Sequence, residues 1–250
     1  MASKSPRLKT QYKCQWREVV ALNFEIDSRV IKRHIPKSLS IDRYNDHTLL
    51  TMMAKTVRRL RPWGFGPGLV RSFEEIDFRT YVSCEINGQL YQGHILLKNL
   101  VSSKMAGRIL HFLTGQESQL VTARRATSGF EEARRDALPS ADYRWEFDDS
   151  ESHFMVKARD AASKSDTGSK EEFVLQQTQR FLQTPRGLMV QQIRQTPWMF
   201  WSASSGSFDC DARMLLGEEF RRALTQPKFV LLSRGGKVTV YKPEKPGSRT

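Results

Sequence analysis

The segment that decides the fold reads Ser72-Phe73-Glu74-Glu75-Ile76-Asp77-Phe78-Arg79-Thr80-Tyr81-Val82. In a β-strand, successive side chains point to opposite faces of the sheet. One face therefore carries Ile76 and Phe78, which require a hydrophobic core. The other face carries Glu75, Asp77 and Arg79, which require either water or one another. On an edge strand these charges form a solvated face, and inside a barrel they form a polar pocket floor. The sequence leaves both alternatives open.

A hairpin signal follows this segment. Asn87-Gly88 lies between two apolar runs, and both residues tolerate the positive φ angles of a type I′ turn. We therefore expect antiparallel neighbouring strands over residues 72–86 and 89–100. Lys98 lies near the end of the second strand, on the same face as Leu96.

The rest of the chain reads as short strands with a few helices. Apolar periodicity and turn residues predict roughly nine or ten strands and three or four helices. The helices are predicted at residues 29–34, 102–113, 170–183 and 211–224. Arg234-Gly235-Gly236 predicts the turn of a last hairpin, between strands 229–232 and 237–241. Since hairpins join most strands, the predicted fold is α+β, with a mainly antiparallel, cone-shaped or barrel-like sheet and a few outer helices.

The pattern predicts one domain. No linker or composition shift divides the chain, so a single domain is expected over residues 13–242. Residues 1–12 read as a disordered basic tail and residues 243–250 as a disordered polar tail.

Composition indicates a soluble cytoplasmic protein. Charged residues make up 27% of the 250 residues, and no apolar run approaches the roughly 18 residues of a membrane span. The polar N-terminus lacks the apolar core of a secretory signal. Cys14, Cys84 and Cys210 are widely spaced and odd in number, which is typical of reduced thiols. The five histidines are isolated in the sequence, so no metal or cofactor is predicted.

The chain is strongly basic, with a formal net charge of +13. The excess is concentrated in residues 1–72, which hold 15 Lys or Arg against 5 Asp or Glu. Such a balance attracts nucleic acid, anionic membranes or acidic ligands. Helix-turn-helix, RNA-recognition and zinc-finger patterns are absent from the sequence. Nucleic-acid association is therefore kept as an alternative.

Four motifs in order carry a family resemblance. They are the opening run from Trp16 through Pro36 to Leu39, the strand Phe73-x-Glu75-x-Asp77-x-Arg79-Thr80-Tyr81-Val82, the helix start Glu172-Phe173 with Arg180, and Thr196-Pro197-Trp198. The glycines Gly235-Gly236 also fit. With these motifs, residues 16–242 resemble the YqjF-like uncharacterised bacterial family, which is related in fold to acetoacetate decarboxylase. The resemblance implies a cone-shaped or barrel-like antiparallel sheet with an interior cavity, and it implies no assigned activity.

The chain departs from the decarboxylase relatives at their catalytic residues. Those relatives form an imine between a lysine and a β-keto acid, next to a second lysine that lowers the pKa of the first. Their lysine pair follows the helix after the central hairpin, where residues 107–119 of this chain contain no lysine. Gln195 stands where the resembled motif has a histidine, and an amide cannot act as an acid or a base.

The charged face of the central segment supplies the candidate ligand-binding residues. Arg79 can hold a ligand carboxylate through its planar guanidinium. Asp77, Tyr81 and Trp198 are expected beside it. The alternative is purely structural, with the guanidinium neutralising neighbouring carboxylates because buried charges are costly unless paired. Together these residues predict a cavity that binds a small organic anion.

Two further residues are candidates for catalysis. Glu75 can act as a general acid or base, and Lys98 is a candidate imine-forming nucleophile. With them, the alternative function is a lyase acting on a keto or enol acid. Alternatively, Lys98 is a cation at a strand end without a catalytic role. The sequence predicts neither the ligand nor the oligomeric state.

Overall fold

The computed structural model describes residues 8–63, 68–130 and 138–247. The strands of this part of the chain are β1 (Thr10–Glu25), β2 (Ser40–Ile41), β3 (Leu49–Pro62), β4 (Val70–Ile86), β5 (Gln89–Val101), β6 (Gln119–Leu120), β7 (Thr122–Ser128), β8 (Ser140–Phe147), β9 (Ser150–Ala158), β10 (Ser163–Lys164), β11 (Gln179–Thr184), β12 (Gly187–Gln195), β13 (Met199–Asp209) and β14 (Phe229–Tyr241). The helices are α1 (Ser28–His34), α2 (Lys104–Thr114), α3 (Lys170–Leu175) and α4 (Ala212–Leu215), with a 3-10 turn at Glu218–Phe220.

Seven strands close into a barrel. Their order is β1-β3-β4-β5-β11-β12-β14, and β14 pairs back onto β1. Neighbours around the barrel are antiparallel except β5 and β11, which run parallel. The predicted fold class, a mainly antiparallel barrel-like sheet with a few helices, is confirmed.

A second sheet branches from β14. The first half of β14 pairs with β13, and the order continues through β9 and β8 to β7. We call β7, β8, β9 and β13 the wing sheet. Its buried side chains, including Trp145 and Phe154, share one hydrophobic cluster with Ile76 and Phe78 of the barrel. The wing sheet therefore packs on the outside of the barrel.

An ion-pair network joins the wing sheet to the barrel. Arg125 of β7 contacts the carboxylate of Glu18 in β1, and its Nε lies 2.8 Å from Oε1 of Glu74 in β4. Arg58 of β3 also reaches Glu18, at 3.3 Å. Glu18 and Glu74 are largely buried, with 8% and 14% of their side chains exposed. These partners keep the two carboxylates from being buried unpaired.

Strand β4 is buried on both faces, which resolves the two alternatives for its charges. Phe73 and Tyr81 belong to a cluster inside the barrel, together with side chains of α2 and α3. Glu75, Asp77 and Arg79 alternate with them on that face and are buried. The charges thus form a polar interior rather than a solvated edge.

The central hairpin is confirmed. Asn87 and Gly88 both have positive φ, 54° and 73°, as a type I′ turn requires. The flanking strands pair from Ile86↔Gln89 to Glu75↔Val101. One bulge falls in β5 opposite Phe78 and Arg79.

Two predicted helices begin with a side-chain cap in the structure. Asp27 accepts from the amide of Arg29 at the start of α1. Ser103 accepts from the amide of Ala106 at the start of α2, and Gly115 ends that helix in the left-handed conformation. Both helices lie within two residues of their predicted bounds.

The helix predicted at 170–183 is wrong in its second half. Helix α3 begins with a side-chain cap, since the Ser169 hydroxyl accepts from the amide of Glu172. It ends at Leu175, and β11 occupies Gln179–Thr184. Phe181 and Leu182 fit the apolar spacing of a helix or of a strand. The segment forms a strand because it pairs with β5 and β12. The helix predicted at 211–224 is also shorter, because Gly217 interrupts it with a φ of 118°.

The last predicted hairpin is wrong. Residues 229–241 form one continuous strand, β14, which pairs with β1 along its length. Gly235 has a φ of 73°, and a Cβ atom there would lie 2.3 Å from the carbonyl oxygen of Trp16. The glycine therefore permits a close approach between two strands and makes no turn.

The predicted tails are partly inside the domain. Strand β1 begins at Thr10, so residues 10–12 belong to the barrel. Near the other end, Glu244 forms a β-bridge with Val190. Residues 1–7 and 248–250 lie outside the described residues, where the predicted disorder stays a prediction.

Candidate functional site

Asp77 lies at the centre of the polar interior. Arg79 donates to it twice, Nε to Oδ1 at 2.5 Å and Nη2 to Oδ2 at 2.6 Å. Lys55 Nζ also donates to Oδ2, at 2.6 Å. Burial opposes the ionisation of Asp77, but the charges of Arg79 and Lys55 outweigh burial and hold the pKa of Asp77 well below its usual range. Asp77 is therefore an anion shared by two cations.

Lys55 is the central residue that sequence reasoning missed. It lies on β3 directly opposite Glu75, with Nζ 3.1 Å from Glu75 Oε2 and 4.9 Å from the ring centroid of Trp16. Its side chain is 1% exposed. The available signal was a lysine alternating with Met53 and Val57 on the inward face of a strand. Using that signal required the register between β3 and β4.

A second group of polar residues forms a row across four strands. Tyr81 of β4 is paired with His94 of β5, His94 with Arg180 of β11, and Arg180 with Gln191 of β12. Burial first, and then the charges of Arg79 and Arg180, lower the pKa of His94 well below its usual value. His94 is therefore neutral, and its buried Nδ1 has no hydrogen-bond partner among the described residues.

Arg180 has neutral partners. Its Nε donates to Oε1 of Gln191 at 3.2 Å, and its Nη2 donates to the same oxygen. It also hydrogen-bonds the hydroxyl of Tyr12, whose pKa burial raises to about 12 against the opposing charge of Arg180. No carboxylate of the described residues forms an ion pair with Arg180, although the residue is buried. Gln191 is fixed in turn by Gln11 and by the carbonyl of Tyr241.

We call Lys55, Glu75, Asp77, Arg79 and Arg180 the interior charge cluster. It contains three cations and two carboxylates, so its residues carry one excess positive charge while His94 and Tyr12 are neutral. A buried charge without a counter-charge is costly. Within the cluster, Arg180 is the cation that has no ion pair with a carboxylate of the described residues.

The structure brings five of the six predicted site residues into the barrel. Glu75, Asp77 and Arg79 belong to the interior charge cluster. Tyr81 hydrogen-bonds Thr51 at 2.8 Å, and burial raises the pKa of its hydroxyl. Trp198 packs edge-on against Trp16, with ring centroids 5.8 Å apart.

Lys98 is not brought to the others. The bulge in β5 pairs Lys98 with Phe78 on the outer face of the barrel. There its Nζ lies 5.0 Å from the ring centroid of Phe147, and partial burial lowers its pKa. Gln195, at the position of the motif's histidine, donates to the carbonyl of Leu175 and so holds β12 against α3.

Two further findings concern the described residues as a whole. They contain no group of three or more His, Cys, Asp or Glu side chains placed to hold a metal ion. None of their helices has the length and apolar character needed to cross a membrane.

The closed barrel has an acetoacetate decarboxylase-like fold. The chain is similar to an enduracididine biosynthesis enzyme, MppR, complexed with the condensation product of pyruvate and imidazole 4-carboxaldehyde (TM-score 0.63, 12% identity, 94% of this chain and 88% of that chain). It is also similar to an acetoacetate decarboxylase (0.62, 12%, 96% and 90%) and to acetoacetate decarboxylase from Legionella pneumophila (0.60, 13%, 98% and 92%). At these identities the likeness shows the fold alone.

The family is shown by the sequence itself. Residues 13–237 match the DUF2071 family, described as "Uncharacterized conserved protein (COG2071)", and the chain belongs to that family. No curated protein matches the chain.

Proposed function

We propose that the protein binds a small organic anion inside the barrel, with Arg180 as the principal contact. The observation that carries this proposal is the buried guanidinium of Arg180, which is bonded to the neutral side chains of Gln191 and Tyr12. A carboxylate placed there would receive charge-assisted hydrogen bonds and balance the excess charge.

The geometry supports Arg180 over Arg79 for this contact. Both carboxylate oxygens of Asp77 already accept from the planar fork of Arg79. Arg79 therefore contributes positive charge to the wall of the site, together with Lys55. Tyr81 and Trp198 line the same interior in this proposal, as the sequence predicted.

The proposed ligand class is the keto acids. Support comes from the similar structures, in which MppR is complexed with pyruvate or with a pyruvate condensation product. Within the family, the motif resemblance favours a YqjF-like member. A cytoplasmic location is proposed from the free thiols of Cys14, Cys84 and Cys210.

Thermal shift with a panel of 2-keto acids, beginning with pyruvate, tests the proposal. The wild-type melting temperature is expected to rise with ligand concentration, and Arg180→Met should abolish the response. This variant should fold, because its loss leaves no buried carboxylate unpaired. Arg186→Met, in an exposed turn, is the matched control. An undiminished response in Arg180→Met would refute the proposal.

A second candidate, a lyase acting on a keto acid, is favoured by Lys55. Among the described lysines, Lys55 alone is buried, and Glu75, whose Oε2 lies 3.1 Å from Lys55 Nζ, is the candidate acceptor of its proton. The amine nitrogen would attack the keto carbon and water would leave, giving an imine. The sequence assigned this role to Lys98 and a general acid or base role to Glu75.

Borohydride trapping with pyruvate, followed by intact-mass analysis and peptide mapping, separates these assignments. An adduct on Lys55 supports a lyase in which Lys55 is the nucleophile. An adduct on Lys98 supports the nucleophile predicted from the sequence. Absence of any adduct, with the thermal shift retained, leaves anion binding alone. The alternative of nucleic-acid association rests on the net charge of +13 alone, and no feature of the described residues adds support to it.

A further inference from the structure

The barrel wall has a weak seam between β5 and β11. These two strands pair at two positions, Arg180↔His94 and Phe181↔Ile95. Beyond them, the same edge of β5 pairs with β6 at Leu100 and Val101. Within the described chain, no strand pairs with that edge over residues 96–99. Few backbone hydrogen bonds therefore hold the barrel closed at this place.

A cleft lies over the seam. Its volume is about 740 Å³, and it is bounded by the end of α1, by β5, by the loop after α2 and by Gln183 of β11. Its charged residues include Arg33, Lys37 and Lys98 against the carboxylate of Glu117. We call it the seam cleft. Its positive balance suits an anion.

Asn99 connects the seam cleft with the interior charge cluster. Asn99 lines the cleft and is paired across the hairpin with Asp77. Leu96, on the same strand, also lines the cleft and is paired with Arg79. Asn99 is 7% exposed, and its Oδ1 has no hydrogen-bond partner among the described residues. Its Nδ2 donates to the hydroxyl of Ser118 at 2.9 Å. Strand β5 thus borders the cleft and is paired with the strand that carries Asp77 and Arg79.

We infer that the seam cleft is the entrance through which a small carboxylate reaches the interior charge cluster. The Asn99–Ser118 hydrogen bond keeps this entrance closed. The inference rests on the anion-binding function proposed above. Lys98, Lys37 and Arg33 raise the local concentration of an anion at the mouth. Opening on this side then breaks one side-chain hydrogen bond, because over residues 96–99 β5 pairs with β4 on its other edge and has no described strand partner on the edge that faces β11.

Rapid-mixing kinetics with pyruvate test the role of the mouth. Lys98→Glu reverses one charge there and should lower the association rate constant about tenfold at low salt, with the dissociation rate constant unchanged. Added salt should shrink the difference. Lys104→Glu, exposed at the start of α2, makes the same charge change outside the cleft and should keep the wild-type rate.

Two outcomes of this experiment overturn the inference. The first is an unchanged association rate in Lys98→Glu. The second is faster dissociation in Lys98→Glu combined with normal binding in Arg180→Met, because the anion would then reside in the cleft itself.

A second measurement does not depend on pyruvate. Cys14 lies in the interior cluster of the barrel, and burial, followed by the charge of Glu75, raises the pKa of its thiol to about 12. In a Cys84→Ser, Cys210→Ser background, Cys14 is the remaining thiol. The probe is anionic 2-sulfonatoethyl methanethiosulfonate, where the thiolate attacks sulfur and methanesulfinate leaves.

Substitutions of Ser118 and of Asn99 should change the labelling rate of Cys14 in opposite directions. Ser118→Ala removes the hydrogen bond and should speed labelling several-fold. Asn99→Trp fills the passage and should slow labelling about tenfold. Equal rates in wild type and both variants would show that the probe reaches Cys14 by another route, through the cleft that Cys14 borders with Arg59 and Arg61, and would overturn the entrance. If these rates shift while pyruvate fails to bind, the entrance stands and the proposed ligand class fails.

Discussion

At the scale of single residues, the site is organised by Asp77. Its carboxylate forms ion pairs with two cations, Lys55 and Arg79, which β3 and β4 bring to the barrel interior. Removing one partner of a buried ion pair leaves the others uncompensated, which costs far more than losing an exposed pair.

Asp77→Asn is therefore expected to be strongly destabilising. The free energy of unfolding should fall by about 3 kcal/mol or more, measured by urea denaturation. Asp142→Asn is the matched control, since Asp142 forms a 3.7 Å pair with exposed Arg144. Its effect should stay below about 1 kcal/mol, and equal losses in both variants would contradict the assignment.

His94 predicts a pH dependence of stability. Burial and two guanidinium groups lower its pKa in the folded protein below the ordinary value of 6.5. Between these two values the unfolded chain binds a proton that the folded protein does not. Stability is therefore lost as pH falls below about 6.5, with a slope approaching about 1.4 kcal/mol per pH unit.

Urea midpoints between pH 7.5 and 5 measure this dependence. His94→Gln should lack the loss, so the stability difference between wild type and variant should shrink at low pH. His111→Gln, exposed on α2, should keep the wild-type slope. Parallel pH profiles for wild type and His94→Gln would show that His94 does not cause the loss.

Sequence reasoning reached part of the candidate site. Alternation within one strand placed Glu75, Asp77 and Arg79 on one face, because that relation is local. Lys55 and Arg180 were missed because they meet the cluster through the β3–β4 register and the parallel β5–β11 seam. Those registers depend on the closure of the whole barrel.

At the scale of elements, β14 shows how one local pattern serves two structures. Gly235-Gly236 suits a hairpin turn, and it equally permits a close approach of two strands. The pattern cannot distinguish them, because apolar runs flank Gly235-Gly236 just as they flank the correctly predicted Asn87-Gly88 turn. The same ambiguity affected β11, whose apolar residues suited a helix.

Gly235→Ala tests the close approach. The new Cβ would meet the backbone of β1 at a residue whose φ is already positive, so a loss of about 3 kcal/mol or more is expected. Gly88→Ala has the same φ of 73° with no atom within 4 Å. It should cost about 1 kcal/mol. Urea denaturation compares the two, and similar losses would argue against a clash with β1.

At the scale of the whole molecule, the barrel and the wing sheet are joined through a shared hydrophobic cluster and the contacts of Arg125. Since Arg125 partly neutralises both Glu18 and Glu74, it couples the outermost strand of the wing sheet to two barrel strands.

Arg125→Met should uncouple the wing sheet. We expect a loss of about 2 kcal/mol, with native-state hydrogen exchange rising first in β7 and β8 while β3 and β4 stay protected. Arg124→Met, exposed on the same strand, should leave the exchange pattern unchanged. A uniform rise across the barrel in Arg125→Met would mean that the two sheets unfold as one unit.

The pairing of β1 with β14 has a consequence for biosynthesis. Strand β1 leaves the ribosome more than 200 residues before its partner β14, with which it pairs from Thr10↔Tyr241 to Asn23↔Phe229. Such distant pairing slows folding, and partly built sheets with open edges are prone to aggregation. Until β14 has been synthesised, β1 and β12 each lack one strand partner, so the nascent chain exposes two unpaired sheet edges.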